Sequence, residues 1–271
     1  MKAIKLTDGE LYYDEKGAGP ALILIHAGIA DSRMWKAQIK PLAEHFRTVW
    51  CDLRGYGNSL FPDGQFSYTQ DILDLINVLD LAPVWIIGAS FGGQVAIDFC
   101  LSYPDKVSGL ILISPAISGF KPSAEIEQFG ETEDALLEAG KLKEATELNM
   151  RMWVDGPFRT KEQVDPEMRK RVAEMQLHAF SQPEPENTSL LKLDPPAIMR
   201  LDEINRPLLV ISGELDAPAF VELAKTIGNR VAEAKRVIIP NTAHMINMEV
   251  PLEFNQLVIE FVSSYESNPL A

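Results

Sequence analysis

Ser90 stands at the centre of Gly88-Ala89-Ser90-Phe91-Gly92, between the apolar run Val84–Ile87 and a helical pattern over Gln94–Tyr103. A G-x-S-x-G sequence between a strand and a helix is the pattern of a nucleophile elbow, a turn that lifts a serine hydroxyl clear of a sheet. The residues two before and two after that serine crowd its backbone, which suits glycine at 88 and 92. The same five residues also fit an ordinary loop; the strand before and the helix after are what give them chemical meaning. A serine hydroxyl is a poor nucleophile at neutral pH and needs a base within hydrogen-bond reach.

The chain has four histidines. His26 ends a predicted strand, His45 lies in a predicted helix between Leu42 and Phe46, and His178 lies in a charged helical stretch. His244 follows the last predicted strand, in the loop Pro240-Asn241-Thr242-Ala243-His244. Open α/β sheets collect their site residues in such strand-end loops, so His244 is the best base. A base of this kind needs an acid to hold its tautomer and stabilise the imidazolium. Asp216 follows the strand Leu208–Ile211 and is the preferred acid, with Glu214 the alternative. The preceding strand is followed by Ser114-Pro115-Ala116, which offers no carboxylate. Two backbone N–H groups are then needed for the developing negative charge. The expected donors are Phe91 and Gly28, with Ile29 the neighbour and alternative to Gly28.

These residues need strands to carry them. Ala21–Ile25, Val84–Ile87, Leu110–Ile113, Leu208–Ile211 and Val237–Ile239 are short continuous apolar runs, with Thr48–Cys51 a sixth. Continuous rather than alternating runs predict parallel strands covered on both faces. Helical segments lie between them, one opened by the capping-box pattern Ser67-Tyr68-Thr69-Gln70. The fold class expected is α/β: a mostly parallel, doubly wound sheet of about eight strands. Ile4–Leu6 and Glu10–Lys16 predict an antiparallel edge hairpin turned at Asp8-Gly9. From about Lys121 to Arg200 the strand runs stop and the chain turns helical and charged. Asp165-Pro166 reads there as an N-cap and first helical residue, with Met168, Val172, Met175 and Ala179 on one face. The expected organisation is a core of residues 1–119 and 201–271, with a helical cap, 120–200, inserted over the strand ends.

Composition bounds the partners. The formal net charge of −14 argues against nucleic acid and anionic membrane surfaces. No apolar run approaches the length of a membrane span, and the opening Met1-Lys2-Ala3-Ile4-Lys5 has no apolar signal core, so a cytoplasmic protein is expected. Cys51 and Cys100 lie in apolar surroundings and read as buried thiols rather than a disulfide.

In its motifs the chain resembles the α/β-hydrolase fold superfamily. The resemblance rests on His26-Ala27-Gly28, Asp52-Leu53-Arg54-Gly55-Tyr56-Gly57-Asn58-Ser59, the Ser90 turn, the Asp216 turn and the His244 loop. These occur in the expected order from about residue 20 to 250. Ala27 departs from the usual glycine, and Ala89 from a frequent histidine. The resemblance implies a Ser90–Asp216–His244 triad and a cap that roofs the substrate pocket. Of the cap residues Trp153 is put forward to bind substrate, ahead of Phe129, Phe158 and Phe180; Met150 and Met152 pack or line the pocket. Asp52 and Arg54 are expected to be structural, with Arg54 in polar contacts.

The implied activity is hydrolysis of a small ester or lactone through an acyl-enzyme, with no metal and no organic cofactor. Residues Ile25–Trp35 most resemble enol-lactone hydrolases and small carboxylesterases. Carbon–carbon bond hydrolysis, cofactor-free haloperoxidase, perhydrolase or hydroxynitrile lyase chemistry, and a triad-retaining receptor remain open alternatives. The expected partner is a small-molecule substrate, and the only macromolecular partner the reading allows is a second copy in a homodimer.

Overall fold

The computed structural model describes residues 1–81 and 83–266. Eight strands form one sheet: β1 (Lys2–Leu6), β2 (Gly9–Lys16), β3 (Ala21–Ile25), β4 (Arg47–Cys51), β5 (Val84–Ala89), β6 (Val107–Ile113), β7 (Leu208–Gly213) and β8 (Ala234–Ile239). Their spatial order is β1-β2-β4-β3-β5-β6-β7-β8. The first two are antiparallel to their neighbours, and the rest run parallel. The apolar runs are the strands: Ala21–Ile25 is β3 without change, and the other five are extended by one to three residues. The edge hairpin differs from expectation by one residue: Leu6 pairs with Gly9, so Thr7 and Asp8 form the turn and Gly9 opens β2.

Both faces of the sheet are covered, which is why its strands are apolar without alternation. One face (Ile23, Ile25, Ile86, Leu110, Leu112, Val210) packs on α2 (Tyr68–Val78), α3 (Phe91–Ser102) and α7 (Pro218–Arg230). The other (Leu22, Leu24, Ile87, Ile111, Ile113, Ile211) packs on α1 (Lys36–Ala43) and α8 (Pro251–Glu266). Ser67 caps α2 by accepting from the Gln70 amide, but the Gln70 side chain bonds Asp74 and Tyr103, so the capping box is only half formed. His45 lies in the turn after α1 rather than within it, because the helix ends at Ala43.

Between β6 and β7 the chain forms α4 (Ala124–Glu138), α5 (Leu142–Asn149), a π-helical turn (Met150–Asp155) and α6 (Pro166–Phe180). Asp165 caps α6 through the Met168 amide at 2.6 Å, with Pro166 as its first residue. Met150, Trp153, Val154, Met168, Val172 and Met175 share one apolar cluster with the second sheet face. This segment therefore has no apolar core separate from the sheet's.

The chain reverses its direction of progress across the sheet after β4, placing β4 and β5 on opposite sides of β3. A crevice opens at the carboxyl ends of strands at such a point. Gly28 follows β3 and Ser90 follows β5, so both emerge there.

Close approach at this point demands glycine. A Cβ on Gly92 would lie 2.3 Å from the Ile25 carbonyl oxygen and 2.5 Å from that of His26; one on Gly88 would lie 2.3 Å from the Gly92 oxygen. Backbone cannot yield cheaply, so Gly92→Ala lowers Tm by about 6–12 °C, the equivalent of about 3 kcal/mol of overpacking. Gly130→Ala is the control: it sits within α4 with nothing within 4 Å of the added methyl. Its melting curve shifts upward, since alanine is the better helix residue by about 0.5–1 kcal/mol.

Cys51 and Cys100 are both buried and unpaired. Burial raises both thiols, Cys100 up to about 11 and Cys51 further. Neither reacts with a thiol reagent at pH 8 in the native protein, and both titrate after unfolding in guanidinium. Fast modification of either in the native protein contradicts this packing. No helix among the described residues is long and apolar enough to cross a membrane.

Candidate active site

Ser90 closes β5 and opens α3 with φ +50° and ψ −112°. A non-glycine residue there is strained by about 1–3 kcal/mol and persists only where its surroundings over-determine it. They do so here. The Ser90 amide donates to Ile113 O at 2.8 Å, and its carbonyl accepts from the amides of Gly93, Gln94 and Ala116 at 2.9, 3.2 and 2.9 Å. Although Ser90 occupies the N-cap position of α3, its hydroxyl makes no capping bond. The turn leaves that hydroxyl half-buried and lining a cavity of about 490 Å³.

His244 lines the same cavity. Its Nδ1 lies 3.0 and 2.9 Å from the two Asp216 carboxylate oxygens, and both residues are buried. The Ala217 amide donates to Asp216 Oδ1 at 2.7 Å, which fixes the carboxylate. The loops carrying the pair touch backbone to backbone: a Cβ on Gly213 would lie 2.2 Å from Ala243 O, and the Leu215 amide donates to Thr242 O. Glu214 is exposed and accepts from the Asn241 amide, so Asp216, not Glu214, reaches the histidine.

The other histidines are occupied elsewhere. His26 Nε2 accepts from the Leu53 amide at 2.9 Å, which leaves Nδ1–H to donate to Ala27 O at 2.8 Å. Burial lowers its pKa, so the ring stays a neutral strut. His178 Nε2 lies 2.9 Å from Gly57 O, joining α6 to the Gly55–Gly57 loop. Asp52 accepts from the amides of Ser32 and Asn58, and Arg54 pairs with Asp71 and Asp8. Arg54 thus makes the polar contacts expected of it, and Asp52 is held by loop amides.

Gly28 and Ile29 line the cavity beside Ser90. Among the described residues, the amides of Gly28, Ile29 and Phe91 donate to no protein acceptor. A Cβ on Gly28 would meet Phe91 Cβ at 3.3 Å and the Tyr56 hydroxyl at 3.5 Å, so the two expected donor residues are neighbours. Tyr56 also lines the cavity, and burial pushes its phenol up to about 12, so the hydroxyl keeps its proton.

The π-helical turn brings Trp153 onto the site. Its ring centroid lies 4.8 Å from His244 and 5.0 Å from Phe220, which itself stacks edge-on against His244 at 5.0 Å. Arg159 holds this arrangement: it donates to Val154 O and Asp155 O and pairs with Glu249, whose carboxylate also accepts from the Ala243 amide. Trp153's turn and His244's loop are thereby tied together. Phe129 and Phe180 line the cavity. Phe158 does not line it and is 59% exposed. Met150 is buried core, and Met152 packs against the same cluster. Sequence reasoning missed Tyr56, Phe220 and Arg159, along with Glu133, Asn149 and Gln176 from the helical segment.

The sequence pattern of the α/β-hydrolase fold matches residues 20–251. The chain belongs to the α/β-hydrolase fold family. It is 31% identical to the pimeloyl-[acyl-carrier protein] methyl ester esterase of Nitrosospira multiformis, over 93% of this chain and 97% of that one. An uncharacterized protein of Mycobacterium tuberculosis is 42% identical over 102 residues, so the chain spans only 30% of that relative's length. Among solved structures, a hydrolase from Pseudomonas aeruginosa PA01 superposes with TM-score 0.79 at 26% identity, covering 96% of this chain and 97% of that one. The enol-lactonase from Burkholderia xenovorans LB400 gives TM-score 0.79 at 21% identity, covering 97% and 100%, a likeness of fold alone.

Proposed function

We propose that this α/β-hydrolase-fold protein is a serine hydrolase of small esters or lactones. The observation that carries the reading is His244, paired with Asp216, lining one cavity with a serine held at positive φ. Ser90 attacks the carbonyl while His244 Nε2 takes its proton; Asp216 holds Nδ1–H and stabilises the imidazolium. The Phe91 and Gly28 amides receive the oxyanion, with the N-terminal end of α3 adding its positive dipole. His244 then returns the proton to the leaving alcohol and activates the water that frees the acyl group. Residues 120–200 act as a cap, with Trp153 and Ile29 forming substrate-contacting walls. The ester bond named for the 31%-identical pimeloyl-[acyl-carrier protein] methyl ester esterase agrees with this bond type.

The test is labelling by a fluorophosphonate together with turnover of short-chain aryl esters. Labelling and turnover in the wild type, both abolished in Ser90→Ala, support the reading. A wild type that neither labels nor turns over, or a Ser90→Ala protein that labels equally, overturns it. Enol-lactones and vinylogous diketones on the same preparation separate the bond types: activity confined to diketones sinks the ester reading.

A further inference from the structure

The cavity's helical wall carries polar groups that the proposed triad does not use. Gln176 of α6 lines it and is 3% exposed, yet its Oε1 is sealed from solvent without a hydrogen-bond partner. Among the described residues its Nε2 has no protein acceptor either. Rotating the amide by half a turn exchanges which of its two polar atoms is sealed and leaves both without a protein partner. A buried carboxamide left unpaired is unfavourable, so its persistence in the lining of a cavity points to a ligand group that completes it.

Glu133 of α4 lines the same cavity. One of its carboxylate oxygens accepts from Asn149 Nδ2, itself fixed by a 3.0 Å bond to Ala145 O. The other oxygen accepts nothing from the protein. Burial raises the Glu133 pKa, and no cation contributes to its surroundings. Glu184 adds a second carboxylate to the lining, and no lysine or arginine lines the cavity among the described residues. Two carboxylates without a counter-cation repel an anionic substrate group and accept from N–H donors.

We propose that Glu133 and Gln176 form a specificity subsite for a nitrogen-bound hydrogen-bond donor, an amide N–H or an ammonium, on the substrate, and that they reject a free carboxylate there. The subsite rests on the serine-hydrolase reading for the fate of what it binds, but its selectivity is a property of binding alone. It excludes dicarboxylate half-esters from the substrates and favours esters or lactones bearing an amide or amine.

The test compares three probes of equal chain length (hexanamide, hexylammonium and hexanoate) titrated by NMR into wild type, Glu133→Gln and Gln176→Leu. The wild type binds hexanamide or hexylammonium at least about tenfold more tightly than hexanoate, an advantage of about 1.4 kcal/mol. Glu133→Gln loses most of the discrimination against hexanoate and the binding of hexylammonium. Gln176→Leu selectively weakens hexanamide. Protection of Ser90 from fluorophosphonate by hexanamide, and not by hexanoate, places the preference in this cavity. Equal ratios in all three folded proteins, or hexanoate binding best, overturn the subsite. Should the wild type fail to label at all, the hydrolase reading falls while the binding ratios still decide the subsite. Glu133→Gln differs from wild type by little in shape, so it keeps the proposal falsifiable if Gln176→Leu fails to fold.

Discussion

Ser90→Ala lowers kcat on short-chain aryl esters by about a million-fold and abolishes covalent labelling by a fluorophosphonate. The size follows from what is removed. Without the hydroxyl no acyl-enzyme forms, and only binding and oxyanion stabilisation remain to assist direct attack by water. Substrate affinity changes little, because the cavity walls and the Phe91 and Gly28 amides stay in place. Stability changes little as well: alanine at φ +50° is as strained as serine, and the backbone bonds to Ile113, Gly93, Gln94 and Ala116 do not involve the side chain. Thermal melting of the variant should therefore overlay the wild type within a few degrees while activity vanishes. A variant that keeps a hundredth of the activity, or loses activity only by unfolding, contradicts the role given to Ser90.

The parts of the site that were legible in the sequence share a physical reason. Ser90, Asp216 and His244 each come within five residues of the end of a strand, and a parallel sheet brings the carboxyl ends of its strands to one edge. Their convergence therefore needed only strand positions, which continuous apolar runs reveal. The glycines at 88 and 92 were legible because a Cβ there meets backbone. What depended on packing between helices was not. Glu133, Asn149 and Gln176 come from three different helices, and their meeting depends on how α4, α5 and α6 sit on one another. The Arg159–Glu249 pair joins residues 90 apart in sequence. Phe158 had the right residue type and the right segment, but it is left exposed outside the cavity lining. The hairpin turn at Thr7-Asp8 and the half-formed box at Ser67 mark the limits of local signals: side chains with several partners in reach choose by tertiary context.

Asp216→Asn lowers kcat by about ten-thousand-fold, equivalent to about 5.5 kcal/mol of transition-state stabilisation, and leaves KM near the wild-type value. The carboxylate accepts the His244 Nδ1 proton at 2.9–3.0 Å in a site where both side chains are nearly sealed from water. An asparagine amide turned with its NH2 toward the ring donates to Nδ1 and forces the proton onto Nε2. The imidazole then presents a donor to Ser90 where an acceptor is needed. The Ala217 amide donates to Asp216 Oδ1 and biases the asparagine toward that harmful orientation, because it holds the amide oxygen on its own side. No other carboxylate substitutes: Glu214 is exposed and engaged with the Asn241 amide. Fluorophosphonate labelling of Ser90 should slow in step with kcat, since both need the same proton removed, and the two rates measured side by side on the melted-and-checked variant form the test. A loss of less than tenfold in both, with the fold intact, would show that His244 is positioned by its Trp153 and Phe220 contacts alone and that Asp216 is not the acid of a triad.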